Sequence, residues 1–366
     1  MARRVSIKDV AKAAGVSWKT VSNVVNDRPV VRPETRERVE RAISELGYVP
    51  NTIGRELRGG PTHTIALVLP ELSNPYFAQL AQMLHVAAKE RGYTVSVELS
   101  LGRGEVERAH VRGRISRPVD AVVISPEALD PVEIRDRGDG PPLVLLGEHL
   151  LSAEGVTHVA VDNVEASADV VRHLVERGYR RPVFLGGEAE QRSAGTDRLA
   201  GFRAACRASG IASDPERIAH VGAWDMAEGR RAVLDLVERG VAFDAISAAN
   251  DQLAIGALAG LREVGLDVPA DVGVVGWDDT PGARHAHPAL SSIGPDLDDL
   301  IAATLDAAIG PGTGAEDVTG GGAGVGTEPG AEPATEPGTG AGESDGREHV
   351  VPYRLVARES SAGPRR

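Results

Sequence analysis

The chain has 366 residues, 42% of them hydrophobic and 25% charged, with a formal net charge of −13, enough for a small domain plus a core of two lobes of ordinary size. One cysteine, Cys206, excludes a disulfide framework, no apolar run approaches the roughly 20 residues of a membrane span, and the leading MARRVSIKDV lacks the apolar stretch of a signal peptide, so the expected location is the cytoplasm. Residues 1–60 carry 12 Lys and Arg against 7 Asp and Glu while the remainder carries 28 against 46, which confines phosphate attraction to one end and argues against DNA wrapped around the acidic body.

The first element starts at Ser6, where Asp9 three residues on gives a capping-box-like beginning: a hydroxyl for a free N–H of the first turn and a carboxylate for the positive helix end. Ile7, Val10, Ala11 and Ala14 follow at i, i+3, i+4 and i+7 and define one buried face. Gly15 stands where the chain must reverse through a left-handed backbone, and Val16 fills the space between the helices. Ser17 caps a second helix whose Val21, Val24 and Val25 face inward. Trp18, Lys19, Thr20, Ser22 and Asn23 are left for solvent or a partner. Two short helices joined by a tight turn place the second in a DNA groove and read bases from its first residues; the alternative is a helical subdomain that meets no nucleic acid. Pro33 opens a third helix, with Val39, Ala42, Ile43 and Leu46 as its stripe and Gly47 as its stop.

From Thr64 the pattern changes to short apolar runs alternating with helices. Thr64–Pro70, Thr94–Leu99, Ala121–Ser125, Leu143–Leu146, Val159–Val161, Val183–Gly186, Ala245–Ala248 and Val272–Val275 read as buried strands. Tyr76–Arg91, Glu165–Arg177, Arg198–Ser209, Ala227–Arg239, Gln252–Val264 and Asp296–Ile309 read as helices. Such alternation predicts parallel sheets with helices on both faces, and in open parallel sheets the ligand lies beyond the carboxyl ends of the strands. That rule selects Asn74, Glu148, Asp162, Gly187, Asn250 and Asp278. Pro311–Gly346 breaks the pattern with Gly, Pro, Thr and Glu, including TEPGAEPATEPG, and its composition predicts a disordered insertion. Val350–Arg358 reads as one last strand.

DVAKAAGVSWKTVSNVVN and then TRERVERAISELGYVPN resemble the lactose-repressor (LacI/GalR) family of bacterial transcription regulators, and the resemblance runs, with one interruption, to about Ser361. It implies an N-terminal all-α helix-turn-helix headpiece over 1–50 and a hinge helix or linker over 51–61 that forms on operator DNA. It also implies an α/β core of two doubly wound parallel-sheet lobes, like a periplasmic binding protein, over 62–310, then the insertion at 311–346 and a final core strand within 347–361. The implied partners are a pseudo-palindromic operator, a small-molecule effector of the sugar class and a second copy of the chain. A dimer is taken over a tetramer because no heptad repeat precedes Arg366; no membrane, cofactor or metal is implied. The implied DNA contacts are Ser6, Ser17, Trp18, Lys19, Thr20, Ser22, Asn23 and Asn26, with Asn51 and Leu57 in the hinge, Leu57 as an apolar wedge in the minor groove. The hinge departs from the usual pattern at Gly54, commonly Ala, and at Glu56.

In the core, Arg198 within TDRLAGF, Asn250 within AANDQLA and Asp278 within VVGWDDT match positions that bind effectors in the family. A guanidinium fork, an amide and a carboxylate at strand ends grip vicinal hydroxyls from both donor and acceptor sides; for each alone the alternative is a helix cap or a surface charge. Trp224 in VGAWDMAEG matches an aromatic of the sugar-binding members, and Tyr76 and Phe77 in SNPYF offer another wall, with core packing as the alternative. Pro295 and Leu297 stand where some members have a polar and an aromatic ligand contact, so those members' specificity does not carry over.

Enzyme readings find no support: G-x-S-x-G, H-E-x-x-H and a P-loop are absent, Gly102-Arg-Gly104-Glu lacks the third glycine of a dinucleotide fingerprint, and His285 and His287 form only a lone pair. The expectation is a ligand-responsive, sequence-specific transcriptional regulator, a repressor of carbohydrate-metabolism genes released by a small sugar. The runner-up is a global carbon regulator needing a protein or phosphometabolite co-effector; in a different class stands a solute-binding protein.

Overall fold

The chain divides into two units, Met1–Thr62 and His63–Arg366. The structure, a computed structural model, describes residues 5–25, 30–48, 61–114, 117–138, 140–147, 155–187, 194–212, 214–311 and 347–364. Asn26, the hinge residues Asn51 and Leu57, Glu148 and positions 312–346 of the inserted stretch therefore lie outside the described residues.

In the first unit, helices Ile7–Ala14, Trp18–Val25 and Pro33–Leu46 close around Val10, Ala11, Ala14, Val21, Val24, Val39 and Ala42. The Asp9 carboxylate reaches back to Ser6, accepting its N–H at 2.9 Å and its hydroxyl at 2.6 Å, which secures the N-terminal end of the first helix. Gly15 takes the left-handed conformation, φ 63°, and the Val16 N–H closes back on the Ala11 carbonyl at 3.0 Å, so the reversal uses the residue that has no Cβ to strain. Leu46 departs from its expected place in the third helix's buried stripe and is exposed. It sits in the last turn, beyond the reach of the two shorter helices.

The second unit holds two six-stranded sheets. The first has the order β11-β5-β4-β3-β1-β2, built from β1 Thr64–Leu69, β2 Thr94–Leu99, β3 Ala121–Ile124, β4 Leu143–Leu146, β5 Val156–Ala160 and β11 Arg347–Val350. The second, in the order β12-β10-β9-β8-β6-β7, comprises β6 Pro182–Gly187, β7 Ile218–His220, β8 Ala245–Ala248, β9 Gly273–Trp277, β10 Ser291–Pro295 and β12 Tyr353–Val356. Among the described residues every pairing is parallel except β10 with β12. Alternation along β1 shows why both faces are covered. Ile65, Leu67 and Leu69 pack with Leu80 and Leu84 of helix Pro75–Glu90 and with Leu300 and Leu305 of helix Leu297–Ile309, while Ala66 and Val68 join Val111, Ile124 and Ile134 on the other face.

Among the described residues the chain passes between the lobes three times: from β5 into helix Asn163–Glu176, from β10 into helix Leu297–Ile309, and from β11 into β12. The last passage corrects the single strand expected at Val350–Arg358. Pro352 has no N–H to continue a ladder, and the chain leaves the first sheet at Val350 and enters the second at Tyr353. At the switch, Val351 N–H donates to Ala160 O and Pro352 O accepts from Asp296 N–H, both at 2.8 Å. Strands β7 and β10 and helices Gly104–Val111, Pro131–Arg135 and Pro281–His285 were not expected; each is short, and β10 carries two buried serines where periodicity looks for apolar residues.

Candidate functional site

The start of the second helix in the first unit is an exposed polar face with one large ring. The Ser17 hydroxyl accepts the Thr20 N–H at 3.1 Å and lies 2.9 Å from Thr20 Oγ1, an N-cap that satisfies an orphan donor of the first turn. Trp18, 54% exposed, and Lys19 point away from the helical core, whereas Thr20, Ser22 and Asn23 are half-buried beside them. Ser6 is also half-buried, with its hydroxyl committed to Asp9. Burying an indole of this size normally repays its exposure, so an uncovered one beside a Lys at a helix N-terminus suits a surface that meets an anionic partner.

In the second unit the carboxyl ends of the strands converge on a cleft between the lobes. Arg198, on helix Ala194–Ala208, lies under Trp277 with its guanidinium carbon 3.9 Å from the ring centroid and 5.5 Å from that of Trp224, a stacked cation. Its Nε donates to Asn163 Oδ1 at 2.9 Å and its Nη1 to the Ala249 carbonyl, so the fork is held in place before any ligand arrives. Asp278 follows β9 with φ 104°, and Asp279 with φ 48°. Two successive carboxylate residues in left-handed backbone are strained, a feature that clusters at functional sites, and here the turn sets Asp278 at the cleft. Burial holds the Asp278 carboxyl well above the usual carboxylate range, against the pull of Arg198, with Asp251 adding to the rise. Burial also raises the Tyr76 phenol, which feels Asp278 and, oppositely, Arg198. Tyr76 belongs to the first lobe and the two charges to the second, and the phenol feels both across the gap.

Asp278 also borders a cavity of about 440 Å3, together with Gln79, Met83, Pro295, Leu297 and Tyr353, within the range of small-molecule sites; Arg198 and Tyr76 are not among its walls. Pro295 and Leu297 contribute apolar walls to this cavity. Phe77 meets Tyr76 edge-on at 5.3 Å and packs against the first lobe's core; the structure does not bring it to Arg198 or Asp278.

Trp224 rides on a short segment pinned at several points. Glu228 accepts the Gly222 N–H at 2.9 Å, Asp225 caps helix Met226–Glu238 through Glu228 N–H at 2.8 Å, and Asn250 Nδ2 donates to the Trp224 carbonyl at 3.0 Å. Bonds to Arg231 and to the Gly222 N–H pull the Glu228 carboxyl down to about 2. The Trp224 indole N–H is buried with no hydrogen-bond partner among the described residues. An unpaired donor of this kind costs about 1–3 kcal/mol, which a ligand oxygen would remove.

Several of the polar residues that the strand-end rule selects have structural partners. Asn74, Asp162 and Asn250 are all helix caps, accepting from Tyr76, Glu165 and Leu253 N–H at 3.0, 2.9 and 2.8 Å. Asn250 retains one of its two amide protons beyond the Trp224 contact. Asn163 and Trp277, which hold Arg198, were missed, and so was Asp251. Each adjoins a residue that was selected, and the available signal was the dipeptide rather than the single position.

Asp251 lies fully buried beneath the site, its Oδ2 accepting from Thr280 N–H and hydroxyl at 2.7 and 2.8 Å and its Oδ1 from the Ser292 hydroxyl at 2.7 Å. Burial outweighs these bonds and pushes its carboxyl up to about 6. The native state therefore holds a proton that the unfolded chain, at about 3.9, releases, so this group's contribution falls as pH rises from about 4 to about 6, by roughly 3 kcal/mol in all. Asp251→Asn should remove that slope: urea midpoints at pH 4.5 and 7 should shift in the variant's favour at the higher pH, and a pH-independent difference between the two proteins would contradict the buried charge.

A family model described as bacterial regulatory proteins, lacI family, matches residues 6–51, and one described as a periplasmic binding protein-like domain matches 171–318. The HTH-type transcriptional regulator CelR of Thermobifida fusca is 37% identical over 299 residues, covering 80% of this chain and 87% of that protein. Among solved structures, a complex of the transcriptional regulator CelR with cellobiose is similar at a TM-score of 0.64 and 30% identity, over 98% of this chain and 100% of that one. The Lac repressor dimer bound to operator and the anti-inducer ONPF is similar at a TM-score of 0.75 and 25% identity, over 98% and 99%.

Proposed function

The chain belongs to the LacI family of bacterial regulatory proteins, transcription regulators rather than enzymes, and on that premise we propose that it is a homodimeric, cytoplasmic repressor that releases a pseudo-palindromic operator when a small sugar enters the cleft of its core. The observation that carries the sugar reading is the joint setting of Arg198, Asp278 and Tyr76: a held guanidinium, a carboxyl and a phenol from both lobes, near enough to feel one another's charge, with Asp278 also on the wall of the cavity. The guanidinium donates to ring and hydroxyl oxygens, Asp278 accepts from hydroxyls, and the Trp224 face packs on the C–H side of a pyranose. Asn250 holds the Trp224 segment and offers its remaining amide proton. Phe77 supports Tyr76 from behind. Cellobiose, the ligand of the CelR complex, is the first sugar to try. Melting curves of the full chain should rise with sugar concentration and stay flat for Asp278→Ala; stabilisation by purine nucleosides or amino acids alone would reject a sugar effector.

In each headpiece Trp18, Lys19 and Asn23 are the proposed base readers, with neighbouring basic residues such as Arg36 or Arg38 at the phosphates and Ser6, Ser17, Thr20, Ser22, Asn26, Asn51 and Leu57 completing the contact. Replacing one base reader should relax preference at one operator position by about 1–3 kcal/mol, whereas losing a phosphate contact should weaken all sequences alike. Anisotropy titration of single-base operator variants separates the two, and an unchanged preference in Trp18→Ala, Lys19→Ala would sink the assignment.

A further inference from the structure

We propose that Asn163 is the positioning residue that fixes the Arg198 guanidinium to the backbone of the first lobe, so that the grip on a cleft ligand and the setting of the two lobes are coupled through one buried amide. Asn163 is the first residue of the helix that enters the second lobe, directly after the passage from β5, and it is 6% exposed. Its Oδ1 accepts Arg198 Nε–H at 2.9 Å. Its Nδ2 donates to two carbonyls, Val161 in the passage itself at 3.2 Å and Gly147, just beyond β4 in the first lobe, at 3.3 Å.

A guanidinium only donates and a carbonyl only accepts, so a single orientation of the amide satisfies all three partners. The residue type is specific for the same reason. An aspartate keeps the acceptor for Arg198 but sets its second oxygen against two carbonyls, and an alanine leaves a buried guanidinium edge and two carbonyls without this partner. The rest of the fork is anchored within the second lobe, by the Ala249 carbonyl and by the Trp277 ring. A shift of the guanidinium toward a ligand therefore pulls on Gly147 through Asn163, and a change in the setting of the lobes moves Arg198 by the same route. That Arg198 meets the ligand is the proposal made above; its anchoring is independent of that role, and both measurements below use ligand-free protein.

The first measurement follows the arginine Nε–H resonances of the full chain labelled with 15N in arginine, the Arg198 signal being identified by its loss in Arg198→Lys. We expect that signal to exchange slowly in the native protein and in Asn163→Asp, and roughly tenfold or more faster in Asn163→Ala, as for a hydrogen bond opened to solvent. Asn163→Ser, whose hydroxyl is too short for the span, replaces Asn163→Ala if the latter fails to fold. The second measures the distance between spin labels on Arg135→Cys and Glu238→Cys, one exposed site on each lobe, in doubly labelled chains diluted into unlabelled protein; the buried Cys206, its thiol pushed up to about 11, stays unlabelled. Here Asn163→Asp should part company with the native protein and broaden the inter-lobe distribution, because it keeps Arg198 and loses Gly147. Native-like protection in a folded Asn163→Ala or Asn163→Ser would overturn the anchoring, and a native distance distribution in Asn163→Asp would overturn the tie between the lobes.

Discussion

Arg198→Ala is expected to weaken sugar binding by about 2–5 kcal/mol, a loss of tens- to thousands-fold, because truncating a charged donor also strands its partners, Asn163 Oδ1 and the Ala249 carbonyl. Three consequences act together. The fork that meets ligand oxygens disappears, Asp278 loses the cation that holds its carboxyl down against burial, and the Trp277 face loses its stacked partner. The second point matters most for the sign: a carboxyl freed from Arg198 rises further and is less available as an acceptor for ligand hydroxyls. Arg198→Lys should recover only part of the loss, since an ammonium cannot bond Asn163 and Ala249 in the fork geometry while stacking on an indole. Operator affinity of the ligand-free protein should stay within a few-fold of native for both variants, the headpiece being a separate unit. Calorimetric titration with the stabilising sugar, beside operator titration at one salt concentration, checks both halves; native sugar affinity in Arg198→Ala would remove Arg198 from the site.

Gly256→Ala should lower the stability of the core by about 1–3 kcal/mol, the usual range for overpacking, although alanine is favoured over glycine in a helix by about 0.8–1.0 kcal/mol. The reason is the approach of helices Met226–Glu238 and Asp251–Glu263. A Cβ at Gly256 would collide with the Met226 carbonyl, and one at Gly229 with the Leu253 carbonyl. Both obstacles are backbone, which no rotamer change relieves. The helices must move apart, and because they carry the Trp224 segment and Asn250, sugar affinity should fall with stability. Gly229→Ala acts on the same pair, so the double variant should not be additive. A urea midpoint raised by Gly256→Ala would show that propensity wins and that the helices are not in such close contact.

What the residues announced, and what they did not, follows from the kind of signal each element carries. Gly15 and Gly47 stop their helices in left-handed backbone as their positions suggested, because that signal is local. Leu46 misled, since helical periodicity does not say how long the neighbouring helices are. Strand β10 was hidden because Ser291 and Ser292 are buried as hydrogen-bonding groups, Ser292 to Asp251 and Ser291 to Arg358 and Ser361. The switch of sheets at Pro352 depends on where β5 and β10 lie, which nothing within Val350–Arg358 records. In the cleft, Arg198, Asp278 and Trp224 were legible as candidates for a ligand site, and Asn250 and Asp162 are helix caps. Asn163, one residue past Asp162, holds the guanidinium instead. The strand-end rule specifies a place; which of two adjacent polar residues turns inward is decided by the first turn of the next helix.

Operator binding that is sequence-specific and is released by a sugar in the cleft can be read in one titration. Anisotropy titration of the full chain against a duplex from its own upstream region, at one fixed salt concentration with and without the sugar that raises its melting temperature, tests it most directly. Tight, sequence-specific binding is expected, weakened by the sugar in the native protein and unchanged by it in Asp278→Ala. Equal affinity for that duplex and a scrambled one, or operator binding indifferent to a sugar that demonstrably occupies the core, would contradict it.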